Sequence, residues 1–262
     1  MKVDAIVLAG SPNNGKLAQC SSAANEALIE IGGRIIVDYV VSALREARLV
    51  DRIAIVGPVD DLAPIYAGMP GILLSPGGHT AMQSVVKGLK ALDTLGQVLV
   101  VTSDVPLLKA QTVDEFIEQC GDQSRDFYYP VVSKELNEAR YPGVKRTYVK
   151  LKEGTYTGGN IFLLRGEAVF RCLPKAERLV SLRKNPLAMA WTVGLPLIIK
   201  LLLQILPIKE AEQRVSRMLD INGKVIISSC PELGIDVDKP EDLELVKGVL
   251  MNKPAASVQN LS

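Results

Sequence analysis

Apolar runs of strand length alternate with segments of helical period through the first half of the chain. The strand-like runs are DAIVLAG, RIAIVG, GILLS and VLVVTSD. Between the first two, Ile36, Val37, Val40, Val41 and Leu44 fall on one helical face, with Arg45, Glu46 and Arg48 on the other. That spacing predicts a helix over about 35–47. TAMQSVVKGLKAL and KAQTVDEFIEQC predict two more helices, each after a glycine-rich or Asp-Val-Pro turn at a strand end. The order strand, helix, strand, turn, strand, helix, strand, helix is that of parallel strands joined by crossover helices.

After Gln123 the pattern turns to FYYPVV and TYVKLKEGTYTGGNIFLL, aromatic and β-branched runs that predict a mixed extension of the sheet. GIDVDKPEDLELVKGVL predicts a short strand running into an amphipathic helix with Pro240 in its first turn. Residues 1–251 thus read as a single domain with an apolar helical insertion at about 180–220, and 252–262 as a flexible tail. There is no internal repeat. Within the insertion, Leu187–Leu206 approaches membrane-spanning length, but Gly194 and Pro196 interrupt it, and Lys200 and Gln204 lie four apart. Two short helices are the expectation. They would cover the sheet or an oligomer interface, or else touch a membrane surface or a lipid-like substrate. Arg178, Arg183 and Lys184 just before them suit anionic head groups, a substrate phosphate or a solvated face equally.

Composition narrows this picture. With 262 residues, 48% of them hydrophobic, the chain can bury a sizeable core. Thirty basic against twenty-nine acidic residues give a net charge of +1, which excludes nucleic acid as the main expected partner. Cys20, Cys120, Cys172 and Cys230 are scattered without metal or redox spacing, and the first apolar run breaks at Gly10, too early for a signal peptide. A reduced, cytoplasmic setting is expected. His79 is the only histidine, so a histidine-based nucleophile relay or multi-histidine metal site is ruled out.

Four places carry candidate chemistry. GSPNNGKL, Gly10 to Leu17, has the spacing of an ATPase phosphate loop, but Leu17 stands where a magnesium-holding hydroxyl belongs and no amphipathic helix follows. Its backbone can still wrap phosphates and Lys16 can neutralise one. VLVVTSDVPLL delivers Asp104 to the carboxyl end of a strand, where open α/β sheets bind ligands; the alternative is a carboxylate that shapes the turn before Pro106. In GIDVDKPEDLELV, Asp236 and Asp238 share one face of an extended segment, opposite Val237. Asp238 also has the spacing of a helix cap ahead of Pro240 and Glu241. In SPGGHTAMQSVVKGL, Gly77 and Gly78 permit close backbone approach to a ligand ahead of a helix carrying Ser84. Gly158, Gly159 and Asn160 line either an acceptor or a strand bulge.

IVLAGS, GK and EALIEIGGRIIVDYVVSAL together resemble the opening of the nucleotidyltransferases related to molybdenum-cofactor guanylyltransferase and methylerythritol phosphate cytidylyltransferase. DVPL, IDVDKPEDL and SVVKGL are similar to that family's D-x-P-L, D-x-D-x-P-E-D-L and S-V-x-x-G-L elements. The resemblance implies a three-layer α/β/α sandwich, a Rossmann-like fold of the nucleotide-diphospho-sugar transferase (GT-A) type with a mostly parallel sheet. It implies transfer of a nucleoside monophosphate from a nucleoside triphosphate to a small phosphorylated acceptor, with release of pyrophosphate. Mg2+ would be held by Asp104, Asp236 and Asp238, with Lys16, Asp104 and Asp236 as the catalytic set. The nucleotide would lie against Leu8, Ala9, Gly10, Ser11, Gly15, Lys16, Gly78 and Ser84, and the acceptor against Gly159 and Asn160. Three departures stand out: Ser11 replaces the family's second glycine, its loop arginine has no counterpart, and its next lysine aligns with Glu26. Lys16 is then the loop's remaining cation, and a non-catalytic nucleotide-binding or scaffold protein on the same fold is the competing expectation.

Overall fold

The computed structural model describes residues 2–182, 192 and 194–251. The first strand-like run forms β1 (Val3–Leu8). A long loop follows, then a small hairpin, β2 (Glu30–Ile31) with β3 (Arg34–Ile35), and helix α1 (Ile36–Glu46). Next come β4 (Val50–Gly57), α2 (Val59–Tyr66), β5 (Ile72–Pro76), α3 (Ala81–Leu92), β6 (Gln97–Thr102) and α4 (Ala110–Gln119). All four expected strands and all three expected helices of this half are present. The turn expected between β4 and β5 is instead α2: Pro64 inside it disguises the helical period, but Leu62 and Tyr66, four apart, are buried.

The second half runs β7 (Phe127–Ser133), α5 (Lys134–Arg140), β8 (Val149–Leu151), β9 (Gly154–Gly158), β10 (Ile161–Arg165) and α6 (Gly166–Leu182). It closes with α7 (Leu195–Leu202), α8 (Ile208–Leu219), β11 (Gly223–Ser228) and α9 (Pro240–Met251). α5 and β11 had no clear sequence signal; α5 is started by the Ser133 hydroxyl, which accepts from Leu136 N at 3.2 Å. The expected strand ahead of Pro240 does not form, because Ile235 to Asp238 pairs with no strand. Of the apolar segment 187–206, residues 187–191 and 193 lie outside the described part, as do Arg183, Lys184 and the tail 252–262.

The sheet runs β5-β4-β1-β6-β10-β7, with β9 continuing the β10 edge of β7 and β11 on its far side. β1, β4, β5 and β6 are mutually parallel, β10 is antiparallel to both β6 and β7, and β11 is parallel to β7. Alternation within the strands sorts side chains onto two faces. Val3, Ala5 and Val7 meet α1 and α4, whereas Ile6 meets Val85 and Leu89 of α3 and Val169 of α6. The result is the expected Rossmann-like α/β arrangement, a mostly parallel sheet between two helical layers. β1 connects towards β4 while β6 lies on its other side, so the chain order reverses between β1 and β6. Their carboxyl ends flank the crevice where such sheets receive ligands.

A third apolar cluster bears most on the candidate site. Leu17, fully buried, packs with Ile29, Ile31, Leu107, Ile235 and Val237. The opening loop, the turn after β6 and the segment before α9 are therefore pinned to one another. Leu17 is a core anchor for the loop; burying such a side chain contributes about 2 kcal/mol.

Candidate active site

The crevice at the ends of β1 and β6 gathers three carboxylates. Asp104 lies two residues past the end of β6, and the amide of Ser103 donates to Leu8 O at 3.2 Å, tying this turn to the end of β1. The amide of Val237 donates to the carbonyl of Asp104 at 2.9 Å. Val237 is buried in the small cluster, so its neighbours Asp236 and Asp238 project the other way, towards Asp104. One oxygen from each of Asp104, Asp236 and Asp238 lies within 4.8 Å of the others. The face-sharing expected of Asp236 and Asp238 thus holds without a strand. Asp238 turns its carboxylate to this group, and it is Asp242 Oδ2 that reaches back to the Asp238 amide, at 3.2 Å.

The electrostatics of the group are strained. Burial pushes the Asp104 carboxyl up to about 6; the Thr102 hydroxyl and a backbone hydrogen bond pull it down, while Asp238 and Glu26 push further up. Burial likewise pushes Asp236 up to about 7, against the pull of Arg146 and with the push of Asp104 and Asp238. Asp104 Oδ1 is buried without a hydrogen-bond partner. A clustered set of hard oxygen donors, one of them orphaned, is suited to a divalent cation such as Mg2+.

Arg146 is the functional residue that the sequence did not announce. Its guanidinium is 7% exposed, lies 2.7 Å from Asp236 Oδ1 and 3.7 Å from Asp242, and donates to the backbone carbonyl of Asp236. It comes from the irregular loop between α5 and β8, where no periodicity or motif marks it. Only the tertiary fold brings it to the carboxylates.

On the other side of the crevice the opening loop leaves β1 through Ala9, whose amide donates to Val56 O at 2.8 Å. Pro12 and Asn25 form an isolated bridge that closes the loop on itself. Lys16 is exposed and starts only a single 3-10 turn, Lys16–Gln19, and the next α-helix is α1. The helix that an ATPase phosphate loop requires at this point is absent, which removes that reading. The Cα atoms of Gly10 and Gly77 face each other across the crevice, and a Cβ on either would meet the opposite Cα at 3.9 Å, an ordinary contact. Packing does not demand glycine at these positions; without side chains they leave the crevice floor open to a ligand.

A family model for the MobA-like NTP transferase domain matches residues 5–201, most of the chain. The chain belongs to the MobA-like NTP transferase family. It is similar to a hypothetical transferase from Thermus thermophilus at 37% identity and TM-score 0.81, covering 93% of this chain and 100% of that one. CMP:2-keto-3-deoxy-manno-octonic acid synthetase, solved with CTP, shares the fold at 11% identity and TM-score 0.61, over 96% of this chain and 99% of that one. So does 4-diphosphocytidyl-2C-methyl-D-erythritol synthase from Anaerococcus prevotii, at 15% identity and TM-score 0.58, over 96% of both chains. No curated protein gives a match.

In this MobA-like NTP transferase several expected contact residues have structural partners. The Ser84 hydroxyl is buried and accepts from the Gly78 amide at 2.9 Å, while Lys87 Nζ donates to Gly77 O at 2.6 Å. α3 therefore braces the glycine turn, and the Gly78 N–H is already engaged. Gly88 of the S-V-x-x-G-L element is a packing residue, since a Cβ there would lie 2.7 Å from Ile6. Gly159 and Asn160 form a bulge: four residues, Gly159 to Phe162, oppose Tyr129 and Pro130 between the β9 and β10 pairings with β7. Both the amide and the side-chain Nδ2 of Asn160 donate to Leu233 O, at 2.9 and 3.2 Å. His79 is exposed, its amide donating to Gln83 Oε1 at 3.1 Å. Glu26 faces the crevice closely enough to raise Asp104, so its charge adds to the carboxylates where the family pattern has a lysine.

The raised carboxyls make a pH prediction. With folded values of about 6 and 7 and unfolded values near 4, the folded protein holds protons between about pH 4 and 7 that the unfolded chain has released. In chelator, their contribution to stability therefore falls as pH rises through that window, by several kcal/mol. Urea midpoints of the wild type and Asp236→Asn, compared across the window, isolate the effect. A wild type whose slope matched the variant's would contradict it.

Proposed function

We propose that this chain is a Mg2+-dependent nucleotidyltransferase that moves a nucleoside monophosphate from a nucleoside triphosphate to a small phosphorylated acceptor. The observation that carries the reading is the Asp104, Asp236 and Asp238 cluster at the crevice, with its orphaned buried oxygen, in a chain of a nucleotidyltransferase family. An acceptor oxygen attacks the α-phosphorus in line, the bond to the bridging oxygen breaks, and pyrophosphate leaves with that electron pair. Bound Mg2+ would offset the negative charge of the phosphates. Asp104 and Asp236 would hold it, with the exposed Asp238 at the open side. The loop from Leu8 to Lys16, with Ala9, Gly10, Ser11 and Gly15, lies against the triphosphate, and Lys16 offsets its charge in place of the missing arginine and lysine. An anionic acceptor needs no general base. Residues 1–251 act as one catalytic domain.

The test is a panel of the four nucleoside triphosphates with phosphorylated sugars, alcohols and cofactor precursors, read by pyrophosphate release. One triphosphate should turn over with Mg2+ and stop in chelator. The departure at Glu26 supports a second reading, a nucleotide binder without turnover. Thermal stabilisation by a nucleotide with no pyrophosphate from any pair would establish that instead.

A further inference from the structure

Helix α7 is apolar on nearly every side, and none of its residues is buried. Five of the thirteen exposed large apolar side chains of the described residues fall between 195 and 205: Leu195, Ile199, Leu202, Leu203 and Ile205. Leu202 and Leu203 are 75% and 63% exposed. Such a concentration is unlike the single exposed apolar residues found all over protein surfaces. Its only charge, Lys200, is neutralised by Glu210 at 2.8 Å.

The rim is cationic. The amide of Lys152 donates to Leu206 O at 3.0 Å, which seats the β8–β9 turn at the end of this segment. Lys150 lies two residues earlier, within β8. The Glu153 carboxylate is engaged with the Ile208 amide at 3.0 Å, and Lys209 follows directly. Lys150, Lys152 and Lys209 are exposed and form no ion pair among the described residues.

We propose that α7 and its basic rim form a membrane-surface contact that seats the protein on an anionic bilayer. The apolar side chains enter the acyl boundary and the lysines meet the head groups. A second copy of the chain suits the surface less well, because a two-fold contact would bring the lysine rim against itself. No helix of the described residues is long and apolar enough to cross a membrane.

Co-sedimentation of the full chain with vesicles tests this independently of any nucleotide chemistry. It should bind phosphatidylcholine vesicles containing phosphatidylglycerol and bind pure phosphatidylcholine at least tenfold more weakly. The double variant Leu202→Glu with Leu203→Glu should lose at least tenfold in partitioning with an unchanged melting temperature, since both side chains are already in water. The triple variant Lys150→Gln, Lys152→Gln and Lys209→Gln should lose about a hundredfold, at roughly fivefold per lysine. Absence of binding to the anionic vesicles, or equal binding by the variants, would overturn the proposal. So would a dimer in light scattering that the leucine variant dissociates while vesicles bind nothing, which would assign the face to a second copy.

Discussion

Asp104→Asn should abolish turnover and yet make the metal-free protein more stable. The side chain keeps its shape but loses the charge that burial and its neighbours Asp238 and Glu26 disfavour, so folding is relieved of a cost. Turnover depends on that same charge. Loss of a buried ligand to the proposed cation should lower pyrophosphate release by about a thousandfold, equivalent to some 4 kcal/mol of transition-state stabilisation. The pairing of effects separates a functional role from a structural one. If Asp104 only shaped the turn before Pro106, asparagine would serve as well and activity would survive. Calorimetry in chelator together with the pyrophosphate assay reads both quantities, and an active variant would sink the proposed role.

The alternation of apolar and helical segments made the parallel half of the fold legible. β1, β6 and the end of β4 are buried on both faces, so they appear as unbroken apolar runs, and α1, α3 and α4 each show one apolar stripe. Asp104 was legible for the same reason, because a carboxylate that ends such a run can only emerge at the sheet's ligand-binding edge. What could not be read were features made by tertiary contact. α2 carries a proline within it, and β11 leaves Ile227 exposed, so neither presents the usual period. Ser84 was expected at the nucleotide from its likeness to the family's S-V-x-x-G-L element, and Asn160 at the acceptor from the glycines beside it. In the fold, Ser84 braces Gly78 and Asn160 fastens the bulge to Leu233.

Leu17 shows why a motif needs its surroundings. Measured against an ATPase loop it is a missing hydroxyl. In the fold it joins Ile235, Val237 and Leu107 in one apolar cluster, so the residue that breaks the pattern also fixes the distance between Lys16 and the carboxylates. Substituting a hydroxyl there would bury an unpartnered polar group without creating a metal ligand.

Loss of Arg146 should cost the fold several kcal/mol. It is the cation set directly against Asp236, at 2.7 Å, and its own Nε is buried without a partner, so the carboxylate group depends on it when no divalent ion is bound. Removing one member of a buried ion pair leaves the other uncompensated, a loss of about 3–5 kcal/mol. Arg146→Met keeps the bulk and removes the charge, and in chelator its urea midpoint should fall accordingly. If the same carboxylates hold Mg2+, a divalent ion can supply the missing charge, so saturating Mg2+ should restore much of the lost stability and do more for the variant than for the wild type. A purely structural arginine, needed only for its bond to the Asp236 carbonyl, would leave an equal deficit with and without the metal. Equal deficits would therefore remove both the counter-ion role of Arg146 and the strongest stability argument for a cation at Asp236.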